Sequence, residues 1–157
     1  MEESSGGLPL ALACDHIGLP LKQAIAAYLD ERGVPYQDFG TNDSARVDYP
    51  RFAQKAAEAV ASGRCRLGIL VCGTGVGMSL AANKVRGIRC VCCSEPYSAR
   101  LAREHNDANL LALGARVVGS ELACMIVENF LEADFAGGRH QARVQMISAI
   151  EAGQSLS

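Results

Sequence analysis

No apolar run in this 157-residue chain approaches the ~20 residues that a membrane-crossing helix needs. Neither charge is in excess: 15 Lys and Arg stand against 17 Asp and Glu, a formal net charge of −2, so bulk electrostatics point to no nucleic-acid partner. The opening Met1-Glu2-Glu3-Ser4-Ser5-Gly6-Gly7 is acidic and small where a secretory signal is basic and then apolar. It reads as a short flexible tail. The 7 cysteines are odd in number and lack framework spacing, which favours reduced thiols in the cytoplasm over disulfides. Cys90, Cys92 and Cys93 have no matching Cys or His pair at zinc spacing, so they read as small buried hydrophobes. All the other cysteines except Cys72 are read the same way. No repeat or composition shift divides the chain, so residues 8–153 are expected to form one domain, with 1–7 and 154–157 as tails.

What is present centres on Leu67-Gly68-Ile69-Leu70-Val71-Cys72-Gly73-Thr74-Gly75-Val76-Gly77. A strand-length apolar run ends in a Cys and closely spaced glycines, and a helix over Met78 to Lys84 follows at once. A tight turn of this kind sets Cys72 and Thr74 against outward-pointing N–H groups at a positive helix end. It suits a phosphate, or an oxyanion that exists only during a reaction.

Other strands are predicted at Leu8 to Cys14, Val34 to Phe39, Ile88 to Cys93 and Asn109 to Leu113. Helices are predicted after Ile17, from Tyr49-Pro50, from Pro96 to His105, from Ser120 to Glu132, and after Gly137-Gly138. Leu122, Met125, Ile126 and Phe130 are expected to face inward on the penultimate helix, and Val144, Ile147 and Ile150 on the last. The alternation implies an α/β fold, a single three-layer αβα domain with a five-stranded parallel, Rossmann-like sheet. Ligands of such sheets bind beyond the strand carboxyl ends near a switch point in strand order. Asp15 and His16, Cys72 and Thr74, Ser94 and Glu95, and Arg116 all fall at predicted strand ends.

Each of these residues has a plainer reading. The glycine turn, with Glu95 about 20 residues on, also suits a nucleotide-binding domain. Against that, the turn follows the third strand and puts a Cys where such folds have Gly. Cys72 could be a buried core thiol, but a glycine-rich strand end facing a helix start favours a thiolate. His16 could lie in a surface turn. His105 could simply complement a helix dipole. Arg139 and Arg143, four apart, share a helix face and could fork onto one phosphate or merely be solvated. His140 lies off that face and reads as structural or rim.

Taken together the residues resemble the type B ribose-5-phosphate isomerases, a family that also holds galactose-6-phosphate and allose-6-phosphate isomerases. The resemblance runs from about Leu10 to Glu151 through Cys14-Asp15-His16, Asp48-Tyr49-Pro50, Cys72 to Gly77, Ala81 to Lys84, Cys93 to Ala99, His105 to Asn109, Gly114-Ala115-Arg116 and Gly137 to His140. One branch of that family uses a Glu just past the glycine loop. Met78 stands there in this chain, and Cys72 places it in the cysteine branch. The resemblance implies interconversion of ribose 5-phosphate and ribulose 5-phosphate, a step of the pentose phosphate pathway.

It implies roles too. Cys72 moves the proton between C1 and C2, and His105 with Asp15 opens the furanose. Gly73, Thr74, Gly75, Val76, Gly77 and Asn106 hold the substrate and enediolate, and His16, Arg116, Arg139 and Arg143 take the phosphate. No metal or organic cofactor is implied. A six-carbon sugar phosphate, or a sensor that binds without turnover, stays open. Topology adds an expectation: a helix ending at His105 puts that residue at the sheet end opposite Cys72. Either a homodimer or dimer of dimers shares its sites between subunits, or a loop carries His105 back.

Overall fold

A computed structural model describes residues 7–157; the tail expected over 1–7 lies, Gly7 apart, outside the described residues. The apolar runs form β1 (Leu10–Cys14), β2 (Tyr36–Asp38), β3 (Gly68–Cys72), β4 (Cys90–Cys92) and β5 (Leu110–Gly114). They lie in the order β2-β1-β3-β5-β4, and every neighbouring pair is parallel. The inner strands β1, β3 and β5 are buried along their whole length, as continuous apolar runs demand when both faces are covered. Only the short edge strands β2 and β4 are partly exposed.

Helices α1 (Leu19–Glu31), α2 (Tyr49–Ala61), α3 (Val76–Ala82), α4 (Pro96–Asn106), α5 (Ser120–Glu132) and α6 (Arg139–Glu151) supply the outer layers. On one face Leu21, Ile25, Ala99, Ile126 and Phe130 pack on Leu12, Ile69 and Leu111. On the other, Ala53, Ala56, Val60 and Met78 pack on Ala11, Leu70 and Leu110. This is the three-layer α/β arrangement the alternation implied. Among the described residues no helix is long and apolar enough to cross a membrane.

Three expectations need correction. On α5 the buried stripe is Ala123, Ile126, Val127 and Phe130, while Leu122 and Met125 are exposed. On α6 only Val144 is buried, and Ile147 and Ile150 face outward, because α6 packs against α4 instead of the sheet. Helical spacing identifies an apolar stripe but not whether a neighbour covers it. The cysteines differ as well. Cys92 is exposed and Cys90 and Cys93 are half-buried, since β4 has a strand on one side only; Cys124, on α5, is half-buried too.

Strand order fixes where a ligand can enter. From β1 the sheet grows one way to β2 and the other way to β3. The carboxyl ends of β1 and β3 therefore flank the crevice where doubly wound sheets bind ligands.

Candidate active site

Cys72 is the last residue of β3 and is buried. The chain then turns back on itself at Gly75, whose φ of 81° is left-handed and suits glycine. That turn aims the Gly75 N–H at the sulfur, with N to Sγ 3.1 Å. Thr74 is exposed, and its Oγ1 accepts from the Val76 N–H at 3.3 Å, which leaves the hydroxyl proton free to point outward. The segment after β5 backs the loop: Ala115 N–H donates to the Cys72 carbonyl at 2.8 Å and Arg116 N–H to the Gly73 carbonyl at 3.0 Å. Gly114 permits this closeness, since a Cβ there would lie 2.7 Å from the Thr74 backbone. The Arg116 side chain lies along the same loop, with Nη1 3.9 Å from where a Gly73 Cβ would stand.

At the end of β1, Asp15 is buried and its Oδ1 accepts from the Gly18 N–H at 2.8 Å, tying the turn into α1. Among the described residues Oδ2 has no partner. Gly18 has no room for a side chain against the Val71 carbonyl, so α1 starts hard against β3. His16 accepts at Nδ1 from the Val47 N–H, 3.2 Å away. Asp15, His16, Cys72, Gly73, Thr74, Gly75, Val76, Gly77 and Arg116 thus gather at one end of the sheet.

His105, Asn106, Arg139 and Arg143 do not join them. His105 and Asn106 close α4, and α6 opens with Arg139. The rings of His105 and His140 stack with centroids 4.1 Å apart and 9° between their planes. Partial burial first, then His105, Arg139 and Arg143, hold the His140 imidazole below the usual histidine range. Asn106 precedes β5, whereas Cys72 is in register with Gly114 at the far end of β5. The run from Leu110 to Gly114 alone separates the two groups by roughly 13 Å at the usual strand rise. The structure therefore contains two clusters at opposite ends of one sheet.

Some participants were not legible beforehand. Val47 contributes only a backbone N–H. The Tyr49 ring covers Gly77, where a Cβ would come within 2.7 Å of it; an aromatic residue just before a helix-opening Pro was the available hint. His140, read as structural or rim, is the stacking partner of His105. Cys92 Sγ lies 3.6 Å from the Thr74 carbonyl oxygen, reaching the loop from β4. Glu95, the rival ribose-binding acid, instead caps α4: its Oε2 accepts from the Ser98 N–H at 2.9 Å, and the Ser98 side chain first, then that N–H, keep its carboxyl below the usual range.

The chain is similar to known proteins along most of its length. Residues 10–147 match the ribose/galactose isomerase family. Ribose-5-phosphate isomerase B of Escherichia coli is 60% identical over 142 residues, covering 90% of this chain and 95% of that protein. A D-erythrulose-4-phosphate isomerase of Pectobacterium atrosepticum is 41% identical, covering 92% of this chain and 95% of that one. The solved structure of ribose-5-phosphate isomerase B from Clostridium thermocellum superposes with a TM-score of 0.91 at 54% identity, covering 94% of this chain and 99% of that one.

Proposed function

This chain belongs to the ribose/galactose isomerase family, and from that premise we propose that it interconverts ribose 5-phosphate and ribulose 5-phosphate. The observation that carries the reading is the 60% identity to an isomerase of that substrate across nearly its whole length. The buried thiol and glycine turn at the end of β3 support it with suitable chemistry.

The reaction opens the furanose and then moves one proton from C2 to C1 and one from O2 to O1. His105 with Asp15 acts on the ring oxygen and the anomeric hydroxyl, giving the open aldehyde. Cys72 as thiolate takes the C2 proton, and the electron pair left behind makes the enediolate, whose charge sits on oxygen. The N–H groups of the 73–77 loop and the Thr74 hydroxyl are fixed donors for that oxyanion. Reprotonation at C1 by Cys72, with the O2 hydroxyl proton passing to O1, gives the ketose, and the atoms balance without a cofactor. His16, Arg116, Arg139 and Arg143 grip the phosphate, so that binding energy far from C1 and C2 orients the reacting carbons.

His105, Arg139 and Arg143 reach that substrate from a second subunit. The separation of the two clusters supports a shared site, and so does α4 remaining helical through Asn106, which leaves no loop to carry His105 back. Exposed Val76, Leu80 and Tyr97 lie on the elements that follow β3 and β4. A groove of about 530 Å³ lined by Ile88, Val91, Ile147 and Ile150 flanks Asn106. Both are apolar surface for a homodimer to cover. Cytoplasmic placement suits the free thiols of all 7 cysteines.

The four-carbon activity in the name of the Pectobacterium relative keeps other chain lengths in view. A coupled assay offering ribose 5-phosphate, allose 6-phosphate, galactose 6-phosphate and erythrulose 4-phosphate tests the reading. Turnover fastest on ribose 5-phosphate is expected. A faster competitor reassigns the substrate, and turnover of none leaves a sugar-phosphate sensor.

A further inference from the structure

Lys22 is 1% exposed, and the chemistry above makes no use of it. It stands on the inward stripe of α1 with Leu21, Ile25 and Leu29, where a cation is costly unless fully partnered. Its partners are the Asp38 carboxylate at 2.8 and 2.9 Å, the Thr41 carbonyl at 2.6 Å and Asn42 Oδ1 at 2.9 Å. All belong to one segment, the end of β2 and the loop beyond it. That segment also lies along the end of β1: Cys14 N–H donates to the Gly40 carbonyl at 2.7 Å and Thr41 N–H to the Cys14 carbonyl at 2.8 Å. The loop then runs on to Val47, whose N–H meets His16 Nδ1.

The last contact fixes a tautomer. An N–H donates only to a nitrogen with a free lone pair, so Nδ1 is unprotonated and the ring proton sits on Nε2. We propose that Lys22 is a positioning residue for His16: anchoring residues 38–42 from inside the fold, it holds the Val47 N–H against Nδ1. His16 then meets the substrate's phosphate through a donating Nε2–H of fixed direction. The identity of the ligand rests on the isomerase reading; the positioning does not.

The test uses the full chain with ¹⁵N-labelled histidine, above the pH range where histidine protonates. With only 3 His the spectrum is readily assigned. In the ligand-free protein His16 is expected as the single Nε2–H tautomer, and a proton found on Nδ1 overturns the proposal. Lys22→Met should give mixed tautomers, and should raise KM for ribose 5-phosphate about tenfold or more with kcat within about threefold. A folded Lys22→Met that loses melting temperature but keeps the His16 tautomer and KM means that Lys22 only stabilises, and the proposal fails. If Lys22→Met does not fold, Asp38→Asn and Asn42→Ala each remove part of the anchor and are read the same way. Wild type that turns over no sugar phosphate, while Lys22→Met still shifts the tautomer, overturns the isomerase reading and supports the positioning.

Discussion

The imidazoles of His105 and His140 lie face to face, 4.1 Å between centroids, at the junction of α4 and α6. Protonating both would set two cations in contact beside Arg139 and Arg143; partial burial first, and then these neighbouring charges, hold His140 below the usual histidine range. Its neutral form is the one the fold favours. The stability tied to it is full above the ordinary histidine value and declines as pH falls through the depressed one. A phosphate dianion between Arg139 and Arg143 offsets the field of those guanidiniums, so His140 should titrate at higher pH once inorganic phosphate is bound. An NMR titration of the His140 ring with and without phosphate measures this. An unchanged or lowered midpoint places the anion elsewhere.

Cys72→Ala should lower kcat by roughly 10²–10⁴-fold, the usual weight of a general base, with substrate binding nearly intact. Iodoacetamide should inactivate the enzyme, and substrate should protect it. Because Cys92 is exposed, peptide mass spectrometry must show protection at Cys72 itself. More than a few per cent of activity in the Ala variant removes Cys72 from the mechanism.

Arg139→Ala and Arg143→Ala should each raise KM for the phosphorylated sugar by roughly 10- to 100-fold, the worth of one charge-assisted hydrogen bond. The double variant should lose less than the product of the single losses, since both guanidiniums act on one phosphate. Free ribose should not feel either change. Equal losses on both sugars would mean that α6 itself had been damaged.

Subunit sharing has a direct test. Cys72→Ala and His105→Ala chains are unfolded together and refolded. Random pairing makes about half the dimers mixed, each with one intact site, so about a quarter of wild-type activity should return. Background activity, with mixed dimers confirmed by native mass spectrometry, sinks the shared site.

Gly114→Ala forces a methyl to within 2.7 Å of the Thr74 backbone. The fold should lose roughly 1–3 kcal/mol in urea denaturation, as overpacked positions do. Activity should fall further than stability predicts, because the displaced atoms carry the oxyanion donors. A variant that denatures earlier yet keeps full kcat would show that the turn tolerates the shift.

The strand-end cluster was legible because it is local. Cys72 and its glycine turn are contiguous, and alternation alone put Asp15, His16 and Arg116 at the same end of the sheet. His105 was legible as a helix end, which places it at the far side of the sheet. The inward face of α6 was not legible, since Ile147 and Ile150 repeat like any buried pair and only a neighbour decides their fate. Nor was Lys22, because a buried cation breaks the apolar stripe that helical periodicity looks for. The contact from Val47 to His16 leaves no mark in the sequence at all, since any residue but proline offers that N–H.

The strand order has a consequence for the order of events during synthesis. Gly68 of β3 pairs with Leu110, and Cys90 of β4 pairs with Leu110 as well. A nascent chain that has already delivered β3 and β4 can join neither to the other, because the strand that lies between them is made last. Until residues 110–114 leave the ribosome, one edge of β3 is open, and an open apolar edge is what stray chains add to. The turn that aims an N–H at Cys72 also lacks the backing of Ala115 and Arg116 until then. The reactive thiol is therefore formed early and framed late, so a ribosome stalled between residues 93 and 109 would hold an exposed sheet edge with no working turn.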